Sequence, residues 1–281
     1  MKLGFLKPLA RIWAATPIGR RHKAFLLSSL ATRDELVRAL LKRDPNYCVR
    51  ALFWNYFYSS TFRNALKNGS YPDPPVVRGF EDLTWLFASH YANMGIALLN
   101  LDEAAYLYRL AGSLRQARLA EIGRYKGGST FLLAAAIDEG STLLSVDNHS
   151  EGVVHDLKEQ DESLKRILEI FRLDGKVDLV VGDSTGVRVD PESIDLLFID
   201  GDHRYESVRR DYHHWKEALK PGGHLLFHDA DNSRPFSIGD CPLGAVDFMR
   251  DMRETESRFF TRTKTVGSLV HFVRTTVPFA R

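Results

Sequence analysis

After Arg118 the chain alternates short apolar runs with longer amphipathic ones, and no other feature limits the fold as much. Apolar runs fall at 119–122, 142–146, 177–181, 196–199 and 224–227. Helical spacing of apolar residues appears between them at 130–138, 157–171 and 205–219. Strands alternating with helices predict an α/β fold: a doubly wound, parallel sheet with helices on both faces. A helix near 245–253 and two strands near 259–263 and 268–273 close the chain. In such sheets ligands bind beyond the carboxyl ends of the strands, where the strand order reverses. The residues that follow each strand are therefore the candidates for chemistry.

The first 110 residues read as helical instead. Thr32-Arg33-Asp34-Glu35 is a capping box opening a run over 35–43, with Leu36, Leu40 and Leu41 on one face. An aromatic-rich run over 47–67 stops at Asn68-Gly69, a loop with three prolines covers 70–79, and 80–91 and 102–111 are further helical candidates. Residues 1–50 carry 11 Lys/Arg against 3 Asp/Glu, so a head of charge +8 sits on a remainder of −6. Such a head is either a solvated helix face or a contact for an acidic surface. The two cysteines, Cys48 and Cys241, form no metal-ligand spacing and no disulfide framework, which suits a cytoplasmic setting. No run reaches the 18 or so apolar residues of a spanning helix, and none reads as a signal peptide.

The first strand leads into Glu121-Ile122-Gly123-Arg124-Tyr125-Lys126-Gly127-Gly128-Ser129. Glycines at a strand-to-helix turn let backbone approach a ligand, and a helix N-terminus offers N–H groups to an anion. The spacing is not G-x-G-x-x-G, which counts against a nicotinamide cofactor. A carboxylate just before the first glycine would repel a pyrophosphate and accept an ammonium. S-adenosylmethionine presents both charges, with Glu121 suited to its ammonium and Ser129 to its carboxylate; a turn that only packs is the alternative. Asp147 ends the second strand, where an acid can accept hydrogen bonds from both ribose hydroxyls, or cap a helix. Asp183-Ser184 ends the third, near an adenine amino group or as an ordinary turn.

These residues carry a resemblance. Glu121 to Ser129 resembles the E-x-G-x-Y-x-G-x-S loop of catechol-type O-methyltransferases. Asp200-Gly201-Asp202-His203-Arg204-Tyr205-Glu206 is similar to the D-G-D-H-x-Y-E signature of methyltransferases related to the macrocin O-methyltransferases. Pro221-Gly222-Gly223 and His228-Asp229 complete the pattern, over roughly 102–274. The resemblance implies a Rossmann-like, seven-stranded sheet with an antiparallel last strand. It implies a methyltransferase domain over 101–281, and the helical region that the pattern gives over 1–100 would serve as substrate lid or homo-oligomer contact. It places Glu121, Gly123, Tyr125, Gly127 and Ser129 around the methionine end, Asp147 at the ribose, Asp183 and Ser184 near adenine, and Asp200 beside them. Metal-using relatives hold Mg²⁺ through the positions of Asp200 and Asp229. The second acid of their pair is Ala230 here, so Asp231 or His228 would have to substitute.

Methyl transfer to a hydroxyl needs the acceptor proton removed. Asp202 is the base implied by the sugar-modifying relatives, and His203 is its rival because an imidazole titrates near the working pH. The acceptor class is a small hydroxylated molecule, sugar or phenol-like. Phe53, Trp54, Tyr56, Tyr58, Trp85 and Phe87 would wall its pocket, or form the helical region's own core; the loop 230–242 would gate it. Nucleic acid is not expected as a partner. A catalytically silent cofactor-binding subunit and a nicotinamide oxidoreductase on the same sheet are the competing functions.

Overall fold

The computed structural model describes residues 77–80, 83, 86, 97–149, 157–231 and 244–279. The expected helices at 35–43 and 47–67, most of that at 80–91, the six aromatic residues named above, both cysteines and the loop beyond Asp231 lie outside them. In chain order the elements are α1 (Leu101–Ser113), β1 (Arg118–Ile122), α2 (Gly128–Ala136), β2 (Thr142–Asp147), α3 (Leu157–Ile170), β3 (Val177–Val181), β4 (Ile194–Ile199), α4 (Tyr205–Trp215), β5 (Leu219–Phe227), α5 (Gly244–Glu254), β6 (Phe260–Val266) and β7 (Leu269–Arg274). They divide between two compact units, one of residues 1–108, 126–135 and 158–174, the other of 109–125, 136–157 and 175–281.

The second unit holds the sheet, in the order β3-β2-β1-β4-β5-β7-β6. The pairs from β3 to β5 are parallel, and β7 runs antiparallel to both β5 and β6. This is the Rossmann-like, doubly wound sheet expected, with a reversed last strand. The chain winds from β1 outward through β2 and β3, then returns to pair β4 on the other side of β1. That return creates the reversal point at the tips of β1 and β4. The central strands are apolar almost without alternation, as strands covered on both faces must be: five of the six residues of β4 are buried.

Two boundaries differ from expectation for local reasons. β5 starts at Leu219, five residues before the apolar run, because Ile194 pairs with Leu219 across a register shift that absorbs Pro221-Gly222-Gly223. Proline and glycine look like a break in sequence; in the sheet they form a bulge. α4 stops at Trp215, and Lys216–Ala218 continue as a 3-10 turn into β5. Val208, Tyr212 and Trp215 form the buried face of α4. Tyr212 packs against Phe248 of α5 at 5.2 Å between ring centroids and against Phe260 at 5.8 Å. Each such fully buried aromatic contributes roughly 2–3 kcal/mol by area. The Tyr212 hydroxyl stays satisfied by donating to Glu256 at 2.7 Å.

In the first unit, Asn100 opens α1 with its N–H and side-chain amide donating to Glu103 at 2.7 and 3.0 Å, a capping-box arrangement. Residues 128–134 of α2 are all buried, as a helix apolar on every side must be. Gly128 is required there, because a Cβ would lie 2.3 Å from the Ala97 Cα. Phe131 stands edge-on to Phe171 with centroids 4.9 Å apart.

Candidate active site

Gly123 sits where the tips of β1 and β4 touch. Its φ is +87°, and a Cβ would stand 2.4 Å from the Asp200 carbonyl oxygen and 2.5 Å from the Gly201 Cα. Its N–H donates to Val146 O at 2.8 Å, while the Asp200 N–H donates to Ile122 O at 2.8 Å. Glycine alone supplies both the left-handed conformation and the absent side chain. Next to this turn, the Asp147 carboxylate accepts the backbone N–H groups of Arg124 (2.8 Å), Tyr125 (3.0 Å) and His149 (2.7 Å). A carboxylate offers about four acceptor positions, so three bonds fix Asp147 at the tip of β2 and leave capacity for another donor.

Glu121 lies on β1 opposite Ser145 of β2. It is fully buried, and its Oε2 accepts the Ser145 hydroxyl at 2.6 Å. It is a carboxylate held inside the sheet. Gly127 and Ser129 fall in the first unit. Gly127 has a φ of +80° and a Cβ there would meet the Leu164 side chain at 2.4 Å; Ser129 is buried in the first turn of α2.

At the end of β3 both predicted residues turn to protein partners. Asp183 caps a 3-10 turn, its Oδ1 accepting the Thr185 N–H (2.9 Å) and hydroxyl (2.6 Å). Those hydrogen bonds hold its carboxyl below the usual range. Ser184 is buried and donates its hydroxyl to Asp211 of α4, whose carboxyl burial pushes up. Gly182 N–H donates to Asp147 O at 2.9 Å, joining the ends of β2 and β3.

A second group gathers at the tips of β4 and β5. Asp200 Oδ1 lies 2.9 Å from His228 Nδ1, and Asp229 Oδ2 lies 3.7 Å from both His228 Nδ1 and His203 Nε2. His228 is buried, whereas the Asp229 side chain is 44% exposed. Asp202 has other partners. Its carboxylate accepts the backbone N–H of Arg204 (3.0 Å), the Arg204 Nε (2.7 Å) and the Ser207 hydroxyl (2.7 Å). Partial burial alone would raise its carboxyl, but the bonds from Arg204 and Ser207 outweigh that and hold it at about 2.

The metal expectation finds no support in the described side chains. Asp231 pairs with Arg262 of β6 at 3.1 Å, Ala230 between it and Asp229 is buried, and Asp200 is engaged by an imidazole. Among the described residues no group of three or more His, Cys, Asp or Glu side chains is placed to hold a metal ion. Mg²⁺ demands near-octahedral oxygen donors, and a set of one histidine-bound carboxylate, one exposed one and one paired with arginine does not fit it.

The residues that sequence reasoning passed over are those that occupy the predicted ones: Arg124, Ser145, Arg204, Ser207, Asp211 and Arg262. Only the last turn of the D-G-D-H-R-Y-E-S run hinted at any of them, through Arg204 and Ser207 lying two and five residues after Asp202.

Residues 120–230 match the family described as a methyltransferase domain. An uncharacterized protein, y4gI, of Sinorhizobium fredii is 27% identical over 134 residues, and another, R132 of Acanthamoeba polyphaga mimivirus, 29% over 121. These stretches are 43% and 41% of this chain but 14% and 52% of the relatives, so the chain spans about half or less of the length of the curated relatives it matches. Among solved structures, a methyltransferase from Geobacter sulfurreducens is 20% identical with a TM-score of 0.49, over 76% of this chain and 96% of its own. The O-methyltransferase TomG from Streptomyces achromogenes, solved with S-adenosylmethionine, is 17% identical with a TM-score of 0.48, over 91% and 98%. An O-methyltransferase from Bacillus cereus, solved with S-adenosylhomocysteine, is 18% identical with a TM-score of 0.46, over 76% and 90%. Residues 120–230 thus match the methyltransferase-domain family, and the described sheet around them is seven-stranded and Rossmann-like, with a glycine turn at its reversal point and acids on the strand tips.

Proposed function

We propose that the chain transfers the methyl group of S-adenosylmethionine to a hydroxyl of a small molecule, sugar or phenol-like, without a metal ion. The observation that carries this is the Asp147 carboxylate, fixed at the tip of β2 by three backbone N–H groups beside the Gly123 turn. When bound, the cofactor supplies a methyl group on a positively charged sulfur. Asp147 takes a ribose hydroxyl with its remaining acceptor capacity. Gly123 lets the tips of β1 and β4 close on each other and so sets the turn that carries Arg124 and Tyr125 to Asp147. Glu121, buried on β1, is assigned to the methionine end. Asp183 and Ser184 act on the adenine side through the turn they build rather than through free side chains.

The proton of the acceptor hydroxyl goes to His203 in this reading. Asp202 is the poorer base: a carboxylate held at about 2 by an arginine and a serine has little affinity for a proton. His203 Nε2 stands 3.7 Å from Asp229, so an imidazolium formed there faces a carboxylate. The proton lost by the acceptor oxygen would thereby be held on the protein as a cation facing Asp229.

No described helix is long and apolar enough to cross a membrane. A small-molecule acceptor, with self-association through residues 1–100, completes the proposal. Calorimetric titration with S-adenosylmethionine and with NAD, followed by transfer of labelled methyl to a panel of sugars and phenols, tests it. Binding of the sulfonium and labelling of a hydroxyl are expected. Binding of NAD alone would refute the reading, and cofactor binding with no transfer to any hydroxyl would leave a silent binding subunit.

A further inference from the structure

We propose that Arg124 is a positioning residue that acts through Asp147 to shape the cofactor site; the proposal rests on the reading of that site given above. Arg124 is 2% exposed, an unusual place for an arginine, since a guanidinium is tolerated in an interior only where its donors are met. Here Nη1 is met by strand ends. Nη1 donates to Ser145 O of β2 at 3.0 Å and to Val180 O of β3 at 2.9 Å. Nη2 lies 3.5 Å from His149 Nε2. The backbone N–H of the same residue donates to Asp147 Oδ2 at 2.8 Å.

These contacts close a ring around one carboxylate. Arg124 grips Asp147 Oδ2 from the main chain; its side chain reaches the carbonyl two residues before Asp147 and the ring two residues after it. His149 in turn donates its N–H to Asp147 Oδ1 at 2.7 Å. His149 has a φ of +55°, a conformation that a residue with a Cβ adopts only when its surroundings impose it. In that conformation it makes the bond to Asp147 and approaches the guanidinium. Because Val146 pairs with Val180, the carbonyls bound by Nη1 belong to the last rungs of the β2–β3 ladder. Arg124 therefore sets three strand tips at once, its own on β1 and those of β2 and β3, and with them the direction in which Asp147 faces. Nη1 alone holds two carbonyls from different strands, and the planar fork fixes Nη2 beside it toward the His149 ring, which a single ammonium could not do at the same time.

A residue that only filled space would lower stability alone; a positioning residue shifts cofactor affinity, and does so through Asp147. The test is calorimetric binding of S-adenosylhomocysteine to the full chain and to Arg124→Met, Arg124→Lys, Asp147→Asn and the double variants, with thermal melts alongside. Arg124→Met should weaken binding at least tenfold. Arg124→Lys, which keeps the charge and loses the fork, should weaken it three- to tenfold and melt within a few degrees of wild type. In the Asp147→Asn background either substitution should cost less than threefold, as expected of coupled residues. If Arg124→Met does not fold, the lysine variant and its cycle with Asp147→Asn carry the same test. Affinity unchanged in Arg124→Lys, or an equal penalty with and without Asp147, would overturn the proposal while the cofactor site stands. Failure of the wild-type chain to bind would overturn the site reading and the proposal together.

Discussion

Replacing Gly123 by alanine should force the tips of β1 and β4 apart. A Cβ at this position lies 2.4 Å from the Asp200 carbonyl oxygen and 2.5 Å from the Gly201 Cα, both backbone atoms that cannot rotate away. Carbon and carbonyl oxygen ordinarily stay about 3.3–3.6 Å apart, so the strands must separate by about 1 Å. The left-handed φ of +87° adds about 1–2 kcal/mol for a residue with a side chain. Separation also stretches the two hydrogen bonds that close the junction, Gly123 N–H to Val146 O and Asp200 N–H to Ile122 O, at about 1 kcal/mol each. The total is about 3–4 kcal/mol, read as a lower urea midpoint and a melting temperature lower by roughly 6–16 °C. Cofactor affinity should fall with it, since Asp147 is bonded to the two residues after Gly123. Gly175→Ala is the control: no atom stands within 4 Å of a Cβ there, and its effect should stay within about 1 kcal/mol in either direction. A Gly123→Ala protein within 1 kcal/mol of wild type would refute the argument that this crossing requires glycine.

Three further outcomes follow from the site and the sheet. His203→Ala should lower kcat about a hundredfold, a typical share for a proton acceptor, at unchanged S-adenosylmethionine affinity, while Asp202→Asn should keep at least a third of wild-type turnover; the reverse order, measured with any accepted hydroxyl, would return the role to Asp202. Chelation by EDTA should leave turnover within twofold, and a tenfold loss restored by Mg²⁺ would show that the carboxylates rearrange to hold one. Stability should fall in mild acid through His271, which burial, helped by the neighbouring His224 and Lys264, holds at about 4 against 6.5. Its partner His224 lies 3.0 Å away and is lowered likewise. Because the folded protein resists a proton that the unfolded chain accepts, this stability is complete above pH 6.5 and lost as pH falls toward 4. The loss is on the order of 2 kcal/mol. Urea midpoints at pH 7.5 and 5.0 should therefore diverge, and converge in His271→Leu; equal midpoints in the wild type would contradict the burial argument.

Alternation along the chain made the sheet legible, because central parallel strands must be apolar and must be separated by crossovers. The strand tips were legible for the same reason: Gly123, Asp147, Asp200 and Asp229 each follow an apolar run and do stand at strand ends. Side-chain direction was not. Asp202 and Asp231 read as site acids, yet each is taken by an arginine, Arg204 two residues away and Arg262 thirty-one residues away on β6. Ser184 is turned by Asp211, a carboxylate hidden on the inner face of α4. Such pairings depend on which elements come alongside one another, and no local spacing encodes them. The early part of β5 escaped notice because Pro221-Gly222-Gly223 resembles a terminator and its pairing with β4 resumes only across a bulge. Arg124 escaped because a basic residue in a glycine turn reads as solvated, and only the third dimension reveals its carbonyl partners.

The most direct test is a crystal structure of the chain with S-adenosylhomocysteine. The ribose hydroxyls should lie within hydrogen-bond distance of the Asp147 carboxylate, with the nucleoside beyond the tips of β1 and β2. A nucleoside bound elsewhere, with Asp147 still bonded only to the N–H groups of Arg124, Tyr125 and His149, would contradict the account.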